Sequence, residues 1–226
     1  MHLALHSYWR SSCSWRVRIG LGIKGLPYDY RPVDLLHEEQ YSTEHRARSP
    51  LSQVPVLEIE EGGETHLLTQ SMAILEWLEE RFPSPPLLPT STLERARVRA
   101  LAEHVNSGIQ PLQNSAAQRW LRAREPGLEA RWVAHWLTIG LAGLEQAVEH
   151  GAGRFCHGDA VTLADIFLVP QLYAARRFGV ELAPCPTLLR IEAACRDLAP
   201  FRQAEPPAQP DAPPEKGGAP EVSRGS

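Results

Sequence analysis

The sequence predicts an α/β domain followed by an all-α domain, and three observations carry the prediction. In about the first 85 residues, strand-like alternation and helix-like spacing follow one another in the order β-α-β-α-β-β-α. A proline-rich stretch, Pro83-Ser-Pro-Pro-Leu-Leu-Pro89, then breaks every periodic pattern. Past it no comparable strand-like run occurs, whereas long amphipathic helical stripes do. The division that follows is a first domain over 1–83, a linker over 84–90, a helical domain over 91–205 and a tail over 206–226.

Residues 3–8 alternate weakly as a strand and end at the polar Arg10-Ser11-Ser12. Trp15, Ile19 and Ile23 recur at helical spacing, and Gly25 and Pro27 stop that helix. Tyr28 to Val33 reads as a strand, 35–48 as a charged helix or loop, and Val54 to Ile59 as another strand. Gly62-Gly63 signals a hairpin returning through His66 to Thr69. From Ser71, residues Ile74, Leu75, Leu78 and Phe82 trace an apolar stripe ended by Pro83. In the second domain Val98, Leu101, Val105, Ile109 and Leu112 mark one long helix, and Trp132, Trp136, Ile139, Gly143 and Leu144 another. Thr162-Leu-Ala-Asp165 has the form of a capping box, with Val161 and Ile166 placed as a hydrophobic staple. The last 21 residues hold six prolines and almost no large apolar side chain, so disorder is expected there.

Composition narrows the function classes. The 226 residues are 43% hydrophobic and 22% charged, the balance of a globular chain. Lys and Arg number 23 against 27 Asp and Glu, and the resulting charge of -4 argues against a nucleic-acid partner. No membrane span and no signal-peptide pattern is evident, so the expected setting is the cytoplasm, without a membrane partner. Four scattered cysteines without a C-x-x-C pair suit a reducing compartment, and nine scattered histidines offer no ligand spacing, so no metal is expected.

One motif misleads. Gly20-Leu-Gly22-Ile-Lys-Gly25 matches G-x-G-x-x-G, but a dinucleotide site needs a helix to start in that turn, and Pro27 and Pro32 exclude one. These glycines read instead as close packing and a helix stop. More chemistry sits at Ser11-Ser12-Cys13, between a strand and a helix, where unpaired N–H groups and the helix dipole favour an anion. By the residues alone, an ordinary serine N-cap beside a buried cysteine is the favoured reading. Gln70-Ser71 has the same dual character, and Gln53-Val54-Pro55 is either an edge-strand proline or a cis bond that frees the Val54 backbone for a partner.

The strings His6-Ser-Tyr-Trp-Arg-Ser-Ser-Cys-Ser-Trp-Arg-Val-Arg-Ile19, Gln53-Val-Pro55, Gln70-Ser71 with Ile74-Leu-Glu-Trp-Leu-Glu79, Gly108-Ile-Gln-Pro-Leu-Gln-Asn114, Thr162-Leu-Ala-Asp165 and Leu168-Val-Pro-Gln171 resemble the zeta-class glutathione transferases. The resemblance runs from about residue 2 to Asp211. It implies a thioredoxin-like N-terminal domain followed by an all-α helical domain, the glutathione transferase architecture, assembled as a homodimer. It also implies that Ser11 hydrogen-bonds the glutathione sulfur, with Ser12 and Cys13 beside it. Gln40, Val54, Gln70 and Ser71 would hold the tripeptide, with Gln110, Asn114 and Ser115 reaching the cleft from the second domain. Arg177 would meet a carboxylate of a small diacid substrate. Two departures stand out: Gly20 and Gly22 replace expected alanines, at roughly 1 kcal/mol of helix propensity each, and Ala175 stands where a polar residue is common.

The activity implied is a glutathione-dependent cis–trans isomerisation of maleylacetoacetate, by reversible addition of the thiolate to the C=C bond. Maleylpyruvate isomerisation and displacement of halide from α-haloacids are the alternatives within the same fold. A non-catalytic binding module and a thiol exchanger working through Cys13 are the readings of other classes.

Overall fold

The first strand, β1 (His2–Ser7), is an inner strand of a four-stranded sheet ordered β2-β1-β3-β4. It runs parallel to β2 (Asp29–Pro32) and antiparallel to β3 (Val56–Glu61), which pairs antiparallel with β4 (Glu64–Thr69). Leu3 faces Ile59 and Leu5 faces Leu57 across the β1–β3 ladder. The inner position explains why Leu3 through Ser7 are all buried and the expected alternation is weak. The structure is a computed structural model and describes residues 1–214.

Between β2 and β3 lies a short helix, α2 (Thr43–Arg48), while helix α1 (Ser12–Lys24) packs against α3 (Ser71–Arg81), α7 (Leu163–Arg177) and α9 (Ala199–Gln203). The sequence shows one apolar stripe on it; the structure buries it on every side, because it lies between the two halves of the molecule. Val17, Ile19 and Leu21 are 0% exposed, and so is Arg16. Two glycines permit that approach. A Cβ on Gly20 would stand 2.3 Å from Leu75 Cδ2, and one on Gly22 would stand 3.3 Å from Pro200 Cβ. Gly25 ends the helix with φ +65°, its N–H reaching the Gly22 carbonyl. The G-x-G-x-x-G run is thus a packing stripe and a stop. Gly20→Ala is expected to destabilise by ~1–2 kcal/mol despite alanine's better helix propensity, since Leu75 is fully buried and has nowhere to move. Its urea midpoint, compared with wild type, measures this.

The break at 83–89 is a pinned crossing. Lys24 Nζ donates to Glu79 Oε2 and to the Pro85 carbonyl, both at 2.7 Å, and Glu79 accepts the Leu87 and Leu88 N–H groups. Leu87 and Leu88 are themselves buried.

The helical part holds α4 (Thr92–Asn106), α5 (Ser115–Arg122), α6 (Leu128–Glu149), α7, α8 (Pro186–Arg196) and α9. Two sequence expectations need correction here. The stripe from Val98 to Leu112 is not one helix: α4 stops at Asn106, and Gln110–Gln113 is a separate 3-10 turn. Gly108 and Pro111 disfavour continuation. In α6 the buried stripe is Val133, Leu137, Leu141, Leu144 and Val148, one position round from the expected tryptophan stripe, and Ile139 is 51% exposed. Trp132 sits on the flank and donates its indole N–H to the Leu112 carbonyl. The capping box of α7 is as expected: the Asp165 carboxylate, fully buried, accepts N–H groups from Thr162 and Cys156.

The expected disorder from Pro206 onward is wrong for residues 206–214. Pro206–Ala208 forms a 3-10 turn, Pro206 and Gln209 are buried, and Asp211 bonds back to the first domain. Prolines that match the local φ stiffen the unfolded chain, so ordering costs less than their number suggests. The remainder of the expected tail, 215–226, lies outside the described residues.

Candidate active site

The β1–α1 turn delivers Ser11 to the mouth of α1 because β1 ends at Ser7 and the Ser11 N–H closes a turn on the Tyr8 carbonyl at 3.0 Å. Ser11 is the N-cap of α1, and its Oγ accepts the Ser14 N–H at 3.2 Å. Cap and chemistry are compatible here. An oxygen that accepts from the helix keeps its own O–H free to donate outward. The N–H groups of Ser12 and Cys13 belong to the same first turn, where the helix offers no internal partner. All three residues line one cleft of about 800 Å3 between the α/β half and the helical half.

Each expected site residue lines this cleft: Gln40, Val54, Gln70 and Ser71 on one side, and Gln110, Asn114, Ser115 and Arg177 on the other. Val54 precedes a cis peptide bond to Pro55 at the start of β3. Gln70 takes φ +69°, a region a glutamine occupies only when its surroundings impose it, directly before α3. Ser71 is the first residue of that helix, so a second helix N-terminus opens on the cleft. Asn114 caps α5 by accepting the Ala116 N–H, and Ser115 starts it.

Several cleft residues escaped the sequence reading. Tyr8, Arg10, Asn106, Gln113 and Tyr173 line it too. Arg16 lies beneath it, fully buried, with Nη1 donating to Ser71 Oγ at 3.2 Å and Asn106 Oδ1 at 3.0 Å. Its guanidinium stacks on Phe167 at 4.3 Å. A cation inside α1, one turn from the serine pair, is a third source of positive potential beside the Ser11 hydroxyl and the dipole. Arginine on a helix read as amphipathic gives no sequence signal of this.

The two adjacent arginines of α7 part company. Arg176 pairs with Glu192, while Arg177 has no carboxylate partner among the described residues and stacks on Phe178 at 4.5 Å. Burial, and then Arg10 nearby, pull the Arg177 pKa below its usual value. Two cations therefore face each other across one end of the cleft. No group of three His, Cys, Asp or Glu among the described residues could hold a metal ion.

The sequence profile of the glutathione S-transferase N-terminal domain matches residues 10–81. A probable maleylacetoacetate isomerase of Drosophila melanogaster is 45% identical over 213 residues, 93% of this chain and 91% of its own. A maleylpyruvate isomerase of Ralstonia sp is 43% identical over 215 residues, 92% and 99% of the two chains. The crystal structure of maleylacetoacetate isomerase from Anaeromyxobacter dehalogenans 2CP-1 with bound glutathione superposes with TM-score 0.89 at 64% identity, covering 94% of this chain and 98% of that one.

The chain belongs to the zeta-class glutathione transferases. For a zeta-class transferase, the arrangement just described has a direct chemical meaning: two helix N-termini, one donor hydroxyl and Arg10 open on the thioredoxin-like side, and Arg177 stands on the helical side. No helix among the described residues is long and apolar enough to cross a membrane.

Proposed function

We propose that this protein is a glutathione-dependent cis–trans isomerase acting on maleylacetoacetate. The observation that carries the reading is the cleft itself, which sets the Ser11 hydroxyl, the first turn of α1 and Arg10 on one side and Arg177, without a carboxylate partner among the described residues, on the other. Glutathione bound there supplies a thiolate that adds reversibly across the double bond, which then turns as a single bond.

The residues fit that group. A free thiol of pKa ~8.5 is only a few per cent ionised at neutral pH, so the chain has to stabilise the anion. Ser11 donates its O–H to the sulfur, while the Ser12 and Cys13 N–H groups and the dipole of α1 add positive potential. Gln70 and Ser71 hold the γ-glutamyl end, with Arg16 fixing the Ser71 hydroxyl from below. Gln40 and the Val54 backbone hold the rest of the tripeptide, and Gln110, Asn114 and Ser115 close over it. Arg177 and Arg10 bind the carboxylates of the diacid and stabilise negative charge growing on its carbonyl oxygen.

A relative supports the addition step: the Anaeromyxobacter isomerase has been crystallised with dicarboxyethyl glutathione and citrate in its active site. A dicarboxyethyl group on sulfur is what thiol addition across a four-carbon unsaturated diacid leaves. The reading extends to a cytoplasmic homodimer, the reducing compartment being supported by four free cysteines. Maleylpyruvate is the runner-up substrate, favoured by the likeness to the Ralstonia enzyme. Offering both diacids with and without glutathione and comparing kcat/KM decides between them. The expected result is at least ~10-fold preference for maleylacetoacetate, with turnover strictly dependent on glutathione. Equal turnover without the tripeptide overturns the reading.

A further inference from the structure

The turn that carries Ser11 is held from outside its own domain. Tyr8 and Trp9 connect β1 to the α1 N-cap, and side chains from elsewhere in the fold hold the Trp9 N–H and the carbonyls of both residues. Arg18, buried inside α1, donates to the carbonyls of Trp9 at 2.9 Å and Tyr8 at 3.4 Å. The same guanidinium reaches the Ala204 carbonyl at 3.1 and 3.0 Å, so the end of α9 is part of the same knot. The chain then passes through Pro206–Ala208 and Gln209, whose amide donates to the Gln203 and Glu205 carbonyls, both at 2.9 Å. This stiff segment ends at Asp211. One carboxylate oxygen of Asp211 accepts the Trp9 N–H at 2.9 Å, and the other accepts the Tyr30 hydroxyl of β2 at 2.6 Å.

We propose that Asp211 is a positioning residue for the isomerisation: by tying the Trp9 N–H to Tyr30 of β2, it fixes the turn that aims the Ser11 hydroxyl at the glutathione sulfur. The inference rests on the reading of Ser11 given above. Physically, the Tyr8–Trp9 peptide has its carbonyl held by Arg18 and the Ser11 N–H and its own N–H held by Asp211, while Arg18 also holds the Trp9 carbonyl of the next peptide, so both planes leading to the Ser11 cap are fixed. Burial and the Asp211 carboxylate both raise the Tyr30 pKa, so the phenol stays a proton donor across the working pH range. A donor hydroxyl displaced by about an ångström from its hydrogen-bonding position loses most of its effect.

The sign of the effect separates positioning from plain electrostatics. If Asp211 acted only as a nearby negative charge, its removal would ease thiol ionisation and lower the pKa of the bound tripeptide. If it positions Ser11, removal raises that pKa toward the free value. The measurement is an ultraviolet titration of the glutathione thiol in complex with the full chain, alongside kcat/KM. Asp211→Ala is expected to raise the bound thiol pKa by about one unit and lower kcat/KM about tenfold at neutral pH, with KM for glutathione little changed. The loss should shrink as pH rises past the shifted pKa.

Asp211→Asn should recover most of both, because its amide oxygen accepts the Trp9 N–H and its NH2 donates to the Tyr30 oxygen. Should Asp211→Ala not fold, Tyr30→Phe carries the test, and a shift in the same direction is expected. A lowered Tm with an unmoved thiol titration, or a titration that moves down, overturns the proposal. Ser11→Ala run in parallel keeps the two claims apart: if it raises the thiol pKa and Asp211→Ala does not, only the positioning role is lost. If neither moves it, the role of Ser11 is lost as well.

Discussion

Ser11→Ala is expected to cut kcat/KM for isomerisation by about 10²–10³, the usual cost of losing one preorganised donor to a developing anion. The thiol of the bound tripeptide should then titrate close to the ~8.5 of free glutathione. The pH dependence follows from the sign of that shift. Wild type keeps the thiolate at pH values where the variant has protonated it, so the deficit is largest below about pH 7 and shrinks as pH approaches 9. A second, smaller consequence has to be separated. Ser11 accepts the Ser14 N–H as the α1 cap, so alanine also costs about 1 kcal/mol of stability, read as a lower Tm. Ser11→Thr keeps both the cap and the hydroxyl and should retain thiol ionisation within about half a unit. A variant that loses Tm but keeps the wild-type pH–rate profile would reduce Ser11 to a cap.

What the sequence made legible was whatever is written in a local code. The order of strands and helices through α3, the hairpin at Gly62-Gly63 and the capping box at Thr162–Asp165 depend on neighbours within a few residues, and all are present. The strings around Ser11, Val54 and Gln70 are equally local. They converge on one cleft because three separate loops each carry a short constrained signal.

The failures share a physical cause, since each depends on a contact far away in the chain. Arg16 and Arg18 look like the solvent face of α1 until α7 and α9 cover it. The α6 stripe is misread by one position because tryptophans contribute apolar area while lying on a flank, and the smaller Val133, Leu137 and Leu141 enter the core. The segment after Pro206 has the composition of a disordered tail, and its order comes from Gln209, which donates to the Gln203 and Glu205 carbonyls, and from Asp211, which accepts the Trp9 N–H and the Tyr30 hydroxyl of the first domain. Polar anchors of that kind leave no hydrophobic pattern. Composition measures the apolar area a segment can bury, and this segment is held chiefly by hydrogen bonds.

The substrate side of the cleft gives the second large effect. Arg177→Ala is expected to lower kcat/KM for the diacid about 10²-fold, near 3 kcal/mol, the scale for removing one member of a hydrogen-bonded charge pair. Most of the loss should fall on KM for the diacid. Glutathione binding, measured by calorimetry, should be unchanged, because Arg177 is not among the residues assigned to hold the tripeptide. The adjacent residue is the control that the fold supplies. Arg176 is spent on Glu192 of α8, so Arg176→Ala should reduce Tm by leaving that buried carboxylate unpaired and leave KM within about twofold. Substrate chemistry supplies the second control. A monoester of the diacid that lacks one carboxylate should be turned over nearly equally by wild type and Arg177→Ala if Arg177 binds that group, and unequally if the arginine acts only on the oxygen that gains charge during addition. In that second outcome the Arg177 loss would sit in kcat instead of KM, and Arg10 would be left to hold the carboxylate alone.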